Sequence, residues 1–101
     1  MKILESKMEP QLEAGITALY FSASWCGPCK MLAPIMERVS EKTPGVEFYK
    51  VDVDEHRELS AKWGVRGIPT VIFIKEGKEA DKFVGVKSES DITSLIEKIV
   101  S

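Results

Sequence analysis

The chain has 101 residues, of which 44% are hydrophobic and 30% are charged, and its net charge at pH 7 is −2. A chain of this length holds one hydrophobic core, so we expect a single domain over residues 1–101. Charges of both signs are mixed along the chain, which excludes a binder driven by electrostatic attraction to nucleic acid or to an anionic membrane surface.

The first residues predict a soluble cytoplasmic protein that begins with a weakly patterned segment. Charged residues interrupt positions 2–13, so the apolar core of a signal peptide is absent. No uncharged stretch is long and apolar enough to span a bilayer. Residues 3–4 predict a short edge strand, and residues 8–14 fit a short helix with Pro10 in its first turn and Gly15 at its end.

The next two elements are a buried strand and an amphipathic helix. Residues 16–23 form a nearly continuous apolar run, which predicts a central strand buried on both faces. Pro28 opens a segment of helical period that ends at Thr43, and Pro34 should kink this helix because it removes a backbone donor. The predicted buried stripe of the helix consists of Met31, Leu32, Ile35, Met36 and Val39.

A second strand and a short helix follow. Residues 46–53 alternate apolar and polar side chains, as a strand does. Asp54 is the expected cap of a helix over residues 55–63, and Gly64 is its expected end. Residues 65–69 then form a loop.

The last third of the chain predicts a β-hairpin and a final helix. Residues 70–74 and 80–86 are strand-like, and the charged, glycine-containing segment between them predicts a turn and antiparallel pairing. Residues 88–100 form an amphipathic helix whose cap is Ser88 or Ser90. Its buried stripe contains Ile92, Leu95, Ile96 and Ile99.

The order of these elements predicts an α/β fold. Strand–helix–strand units imply right-handed crossovers and a parallel half of a sheet. The late hairpin adds antiparallel strands, so we expect a central mixed sheet with helices on both faces.

The two cysteines, Cys26 and Cys29, lie where the first long strand ends and the helix begins. A bond between residues this close constrains the unfolded chain little, and structural disulfides are rare in the cytosol, so this bond would be one that is made and broken. The helix N-terminus favours a thiolate, which is the nucleophile in disulfide exchange. Gly27 and Pro28 give the sharp turn and the fixed φ that a helix start needs. We therefore predict Cys26 as the exposed attacking thiol and Cys29 as the shielded resolving thiol.

Two other interpretations of the cysteines are weaker. A zinc site needs four ligands, and His56 is the one further strong candidate, so no metal site is expected. Two inert core cysteines are also a poor fit, since Gly-Pro between them is an unusual core sequence. His56 itself is expected in the first turn of a surface helix, without a catalytic role.

Three segments carry a family resemblance: WCGPCK at 25–30, RGIPT at 66–70 and FVG at 83–85. With these motifs and the order of elements between them, the chain resembles the thioredoxin family over nearly its whole length. The resemblance implies a thioredoxin-like three-layer α/β/α fold and a protein-disulfide reductase, a dithiol electron carrier that serves electron transport and cell redox homeostasis. It implies no cofactor. As partners it implies disulfide-containing target proteins and a thioredoxin reductase that restores the thiols, and we expect a monomer.

The resemblance also implies which residues surround the cysteines. The Ile68–Pro69 peptide bond should be cis and packed against the cysteine pair. An apolar groove should hold an extended segment of the target, with the backbone near Ile68 pairing to it as a strand would. The groove residues are Trp25, Gly27, Pro28, Gly67, Ile68, Pro69, Val84, Gly85 and Val86.

One position departs from the family pattern. Thioredoxins carry a buried Asp six residues before the first cysteine, where it assists proton transfer to the second, and this chain has Tyr20 there. Lys50 matches the Lys that accompanies that Asp. A phenol titrates far above a carboxyl group, so Tyr20 is a poor base near neutral pH, and we interpret it as a core aromatic residue. If Cys29 loses its proton through water or Lys50 instead, the mixed disulfide resolves more slowly than with an Asp.

Two rival functions stay open at this point. One is a disulfide oxidase or isomerase, against which the Gly-Pro dipeptide and the lack of a signal peptide argue. The other is a binding module that uses the groove to hold a partner without thiol chemistry, a function that replacement of Cys26 by Ser would leave intact.

Overall fold

A five-stranded mixed sheet and three helices form the structure, a computed structural model that describes residues 1–101. In chain order the elements are β1 (Lys2–Ile3), β2 (Ile16–Ser22), α1 (Gly27–Lys42), β3 (Val46–Asp52), α2 (Arg57–Lys62), β4 (Thr70–Lys75), β5 (Lys78–Val84) and α3 (Glu89–Val100). The strand order is β1-β3-β2-β4-β5, with parallel pairing from β1 to β2 and antiparallel pairing from β2 to β5. The predicted α/β class, parallel half-sheet and hairpin are confirmed. None of the three helices has the length and apolarity of a transmembrane span.

Both faces of β2 are buried, as its nearly continuous apolar run predicts. Ala18 and Tyr20 belong to the larger core, which α1 and α3 cover, whereas Leu19 and Phe21 belong to a second core on the α2 face. Because β2 is the middle strand of the sheet, the cysteines that follow its C-terminal end lie midway between the two edge strands.

The N-terminal segment differs from the prediction. Residues 2–3 do form an edge strand, but the helix expected over residues 8–14 is wrong, since this stretch is irregular. Leu12 is the one apolar side chain of residues 8–14 that packs on a core, and a helix this short is unstable in water without an apolar face to bury. A hydrogen bond from the Glu76 N–H to the Gly15 carbonyl, at 2.9 Å, joins the end of the segment to the hairpin turn.

Helix α1 follows the prediction except at Met31. It ends at Lys42, with Thr43 as the C-cap. Cys29, Leu32, Met36 and Val39 are the buried residues of the helix. Met31 is 66% exposed, so its assignment to the buried stripe is wrong: it lies about a third of a turn away from the line of the buried residues. Pro34 lies inside the helix, and the kink expected there stays a prediction.

Helix α2 is shorter than predicted and is capped differently. It begins at Arg57, and Asp54 is not its cap. The carboxylate that holds the preceding turn belongs to Asp52, whose Oδ1 accepts the N–H groups of Asp54 and Glu55 at 2.8 and 3.4 Å. Asp54 and Glu55, which were expected to start the helix, therefore belong to this turn.

His56 is not the surface residue that the sequence suggests. It is the N-cap position of α2, it is buried, and its Nε2 lies 2.9 Å from the Leu4 carbonyl oxygen. Since a carbonyl only accepts, Nε2 is the donor. Edge strand β1 is two residues long, and the ring satisfies the buried carbonyl that follows it.

Helix α3 is joined to α1 by a shared ion pair. Ser88 caps it, accepting the Asp91 N–H at 3.1 Å, which decides between the two serines proposed from the sequence. Strand β5 ends at Val84, two residues before the predicted end. Glu89 accepts hydrogen bonds from Lys42 at 2.6 Å and Arg38 at 2.9 Å, and these hydrogen bonds lower the pKa of Glu89 from its ordinary value.

We expect the free energy of unfolding of Glu89→Gln to depend less on pH in the acid range than that of wild type. The pKa of Glu89 is lower in the folded than in the unfolded chain. Its contribution to the free energy of unfolding is therefore fully present above the ordinary Glu value of about 4.3 and is lost as the pH falls through the folded-state value. Urea denaturation between about pH 6 and about pH 3 measures the effect.

The control for Glu89→Gln is Glu97→Gln, on the same helix at a residue without an ion pair. A stability gap between wild type and Glu89→Gln that is as large at the acid end as at the neutral end contradicts the prediction.

Candidate active site

Cys26 and Cys29 form a disulfide at the start of α1. Cys26 is the N-cap residue, and the Cys29 N–H points at its Sγ at 3.2 Å, while Pro28 occupies the first turn, where no backbone donor is needed. Both cysteines are buried, with 5% and 2% of their surfaces exposed. The prediction of an exposed Cys26 is therefore wrong for the disulfide form, because Val53 and Ile68 pack against the pair.

The loop before β4 faces the cysteine pair. Its Ile68–Pro69 peptide bond is cis, as the resemblance implies, and the Ile68 carbonyl oxygen lies 3.9 Å from the Cys26 Sγ. The Pro69 carbonyl accepts the Gly85 N–H at 2.9 Å. This hydrogen bond holds the end of β5 beside the loop. The start of α1, the loop before β4 and the end of β5 therefore lie together near the Cys26 Sγ.

An exposed apolar surface flanks the disulfide at the predicted groove. Trp25, Val84 and Val86 are 67%, 63% and 42% exposed, although large hydrophobic side chains are usually buried. The Trp25 Nε1–H donates to Asp54 Oδ2 at 2.9 Å, which fixes the orientation of the indole. Asp54, expected as a helix cap, is therefore a partner of Trp25. A Cβ on Gly67 would lie 3.7 Å from the Val84 side chain, so these two groove positions are neighbours.

Tyr20 lies beneath the second cysteine. Its hydroxyl donates to the Cys29 carbonyl oxygen at 2.6 Å, and the ring belongs to the larger core, which confirms the interpretation of a core aromatic residue. Burial raises the pKa of Tyr20 above its ordinary value. The phenol is thus committed to a backbone carbonyl and keeps its proton at neutral pH.

A cleft of about 430 Å³ separates the first turn of α1 from the C-terminal ends of β2 and β3. Lys50 lines it and lies beside Tyr20 in the parallel register. The lining also includes Cys29, Ser22, Asp52 and Glu55. Sequence reasoning missed the last three, although the period of two along a strand places Ser22 on the face of Tyr20 and Asp52 on the face of Lys50.

The arrangement suits reversible chemistry at sulfur. The sulfur of Cys26 sits at the N-terminal end of a helix, where unpaired N–H groups and the positive end of the helix dipole favour an anion. The second sulfur is one turn away, already within bonding reach of the first. Once one of the two sulfur atoms is bonded to a sulfur of another molecule, a thiolate at the other position can therefore attack it with little movement of the backbone.

Comparisons with known proteins agree with this geometry. The family model for thioredoxin matches residues 4–98. The chain is 55% identical to thioredoxin H-type 1 of Nicotiana tabacum over 69 residues, which are 68% of this chain and only 55% of the tobacco protein. It is 44% identical to a thioredoxin H-type of Oryza sativa over 97 residues, 95% of this chain and 79% of the rice protein. The X-ray structure of Fasciola hepatica thioredoxin superposes with a TM-score of 0.84 at 38% identity, covering 97% of this chain and 98% of that one.

Tyr20→Phe should lower the free energy of unfolding by about 1 kcal/mol, because the Cys29 carbonyl loses one hydrogen bond while the ring still fills the core. Urea denaturation of the oxidised protein measures the loss. Tyr49→Phe, on the opposite face of the sheet, is the matched control and should change stability less. Equal effects of the two substitutions would show that the Tyr20 hydroxyl does not stabilise the start of α1.

Proposed function

The chain belongs to the thioredoxin family and is a thiol–disulfide oxidoreductase, and we propose that it reduces disulfides of target proteins with Cys26 as the attacking and Cys29 as the resolving residue. The observation that carries the proposal is the disulfide itself. It sits at a helix N-terminus, faces the Ile68–Pro69 loop and lies beside an exposed apolar surface.

The first step is an attack by the Cys26 thiolate on one sulfur of a target disulfide. The bond between Cys26 and the target sulfur forms, the target disulfide breaks, and the other target sulfur leaves as a thiolate that takes up a proton. The helix N-terminus supports this step, because it favours the ionised form of the sulfur that begins the helix.

The second step releases the target. Cys29 loses its proton and attacks the Cys26 Sγ, so the Cys26–Cys29 bond forms and the bond between Cys26 and the target breaks. The second target sulfur leaves as a thiolate, and the target has gained two electrons. The short path between the two cysteines, joined in the oxidised form, supports this assignment.

The groove residues bind the target in this proposal. Trp25, Val84 and Val86 offer apolar surface, and Ile68 lies before the start of β4, so its backbone is outside the ladder of the sheet. An extended target segment pairs with this backbone as an added strand and places its disulfide over Cys26. Gly67 supports the pairing, because it leaves the approach beside Val84 open.

The oxidised product must be reduced again before the next cycle. We propose a thioredoxin reductase as the partner that supplies the two electrons, from NADPH or another donor. The protein then acts as a cytoplasmic monomer of one domain, carries electrons without a bound cofactor and contributes to cell redox homeostasis.

Substitution of either cysteine tests the two roles. Wild type should accelerate the reduction of insulin by dithiothreitol, Cys26→Ser should abolish the acceleration, and Cys29→Ser should trap a covalent adduct with the target, seen on a nonreducing gel. Each variant removes one sulfur atom and leaves the fold. No acceleration by wild type would sink the reductase function, and an adduct trapped by Cys26→Ser rather than Cys29→Ser would reverse the roles.

Val84→Glu should weaken the reduction of protein disulfides without changing the reaction with a small disulfide. The charge sits on an exposed apolar surface, where it opposes burial of the target but leaves the sulfur atoms untouched. We expect KM for insulin to rise by roughly tenfold, with the rate on glutathione disulfide unchanged. Lys78→Glu, at the far end of the same strand, is the control. A loss on both substrates would count against a binding role for Val84.

A further inference from the structure

The resolving step needs a proton acceptor that the cysteines and Tyr20 do not supply. Cys29 must become a thiolate before it attacks Cys26, and the thiol form is the less reactive one. Tyr20 touches the same residue, but its hydroxyl donates to the Cys29 carbonyl and is therefore a donor at this site. The inference below rests on the proposed reductase mechanism and concerns the fate of this proton.

The sheet register places a carboxylate on the side of Cys29. Strands β2 and β3 are parallel, with Tyr20 opposite Lys50 and Ser22 opposite Asp52. Side chains two residues apart share a face, so Asp52 lies on the α1 face and is one step nearer than Lys50 to the C-terminal end of the sheet. The first turn of α1, which carries Cys29, lies over this end.

Asp52 and Cys29 line the same cleft of about 430 Å³. The other titratable groups of the cleft are Tyr20 from β2, Lys50 from β3, Lys30 from α1 and Glu55 from the turn before α2. A protonated lysine offers only donors, so the two carboxylates are the available acceptors. Glu55 is exposed at the rim, whereas Asp52 is half-buried.

The Asp52 carboxylate is held in position by the backbone. Its Oδ1 accepts the N–H groups of Asp54 and Glu55, and its Oδ2 accepts no hydrogen bond from the protein. One oxygen is therefore fixed by the turn, and the other is free to accept a proton. The same turn carries Asp54, which orients Trp25, so the acceptor and the groove are built on one segment.

We propose that Asp52 accepts the proton of Cys29 through solvent in this cleft. The Cys29 S–H bond breaks, the proton passes by way of water to Asp52 Oδ2, and the Cys29 sulfur forms its bond to the Cys26 sulfur as the target thiolate leaves. Asp52 then releases the proton to bulk solvent. Asp52 acts on Cys29 through water.

The test is the rate of the resolving step in Asp52→Asn. Reduced protein is mixed with glutathione disulfide, quenched with acid at increasing times, and the mixed disulfide and the Cys26–Cys29 disulfide are counted by mass spectrometry. Asn keeps an Oδ1 acceptor for both N–H groups of the turn, so the fold is retained, as thermal unfolding checks. The matched variant is Glu55→Gln, which removes the rim carboxylate.

Asp52→Asn should resolve the mixed disulfide about tenfold or more slowly near neutral pH, and the gap should narrow as the pH rises, because an alkaline solvent removes the thiol proton without help. Glu55→Gln should stay within about twofold of wild type. A wild-type rate in Asp52→Asn, an equal slowing in Glu55→Gln, or a slowing that persists at alkaline pH would overturn the proposal. If no variant forms a mixed disulfide at Cys26, the reductase mechanism itself fails, which is a different outcome.

Discussion

The packing of the first turn of α1 over the end of β2 holds the active site together. The Tyr20 hydroxyl bonds to the Cys29 carbonyl from below, and the Cys29 side chain is buried in the same turn. Leu32 and Met36 continue this contact along the helix and into the larger core. The position of both sulfur atoms is thereby tied to the most buried part of the protein, and the groove can remain exposed because the turn does not depend on it.

Sequence reasoning succeeded where a pattern is local. The nearly continuous apolar run of β2, the helical stripe from Leu32 to Val39 and the glycine-containing turn between β4 and β5 each report their own environment, and the structure agrees with them. The failures depend on partners distant in the chain. His56 was expected at the surface because nothing in its neighbourhood reveals that Leu4 needs a donor. The helix expected over residues 8–14 had only Leu12 to pack against a core.

The same difference applies to the candidate site, where some residues could be located from the sequence and others could not. The cysteines stand out in the sequence itself, and the cis bond at Pro69 followed from the family resemblance. The cleft behind Cys29 could not be located in this way, because Ser22 and Asp52 look like ordinary strand residues. Only the pairing of β2 with β3 shows that they lie side by side at the end of the sheet, next to a sulfur atom.

The two edge strands of the sheet, β1 and β5, are built to resist pairing with other chains. Strand β5 carries an exposed run of mostly charged residues from Lys78 to Lys82, and the two-residue β1 presents the exposed Lys2, which pairs with Glu47. Charged and very short edges resist the addition of a foreign strand. Unwanted association of the sheet with neighbouring chains is thus suppressed at both edges. An extended segment that binds at the Ile68–Pro69 loop, as we propose, would therefore have no competing strand-pairing site at either edge of the sheet.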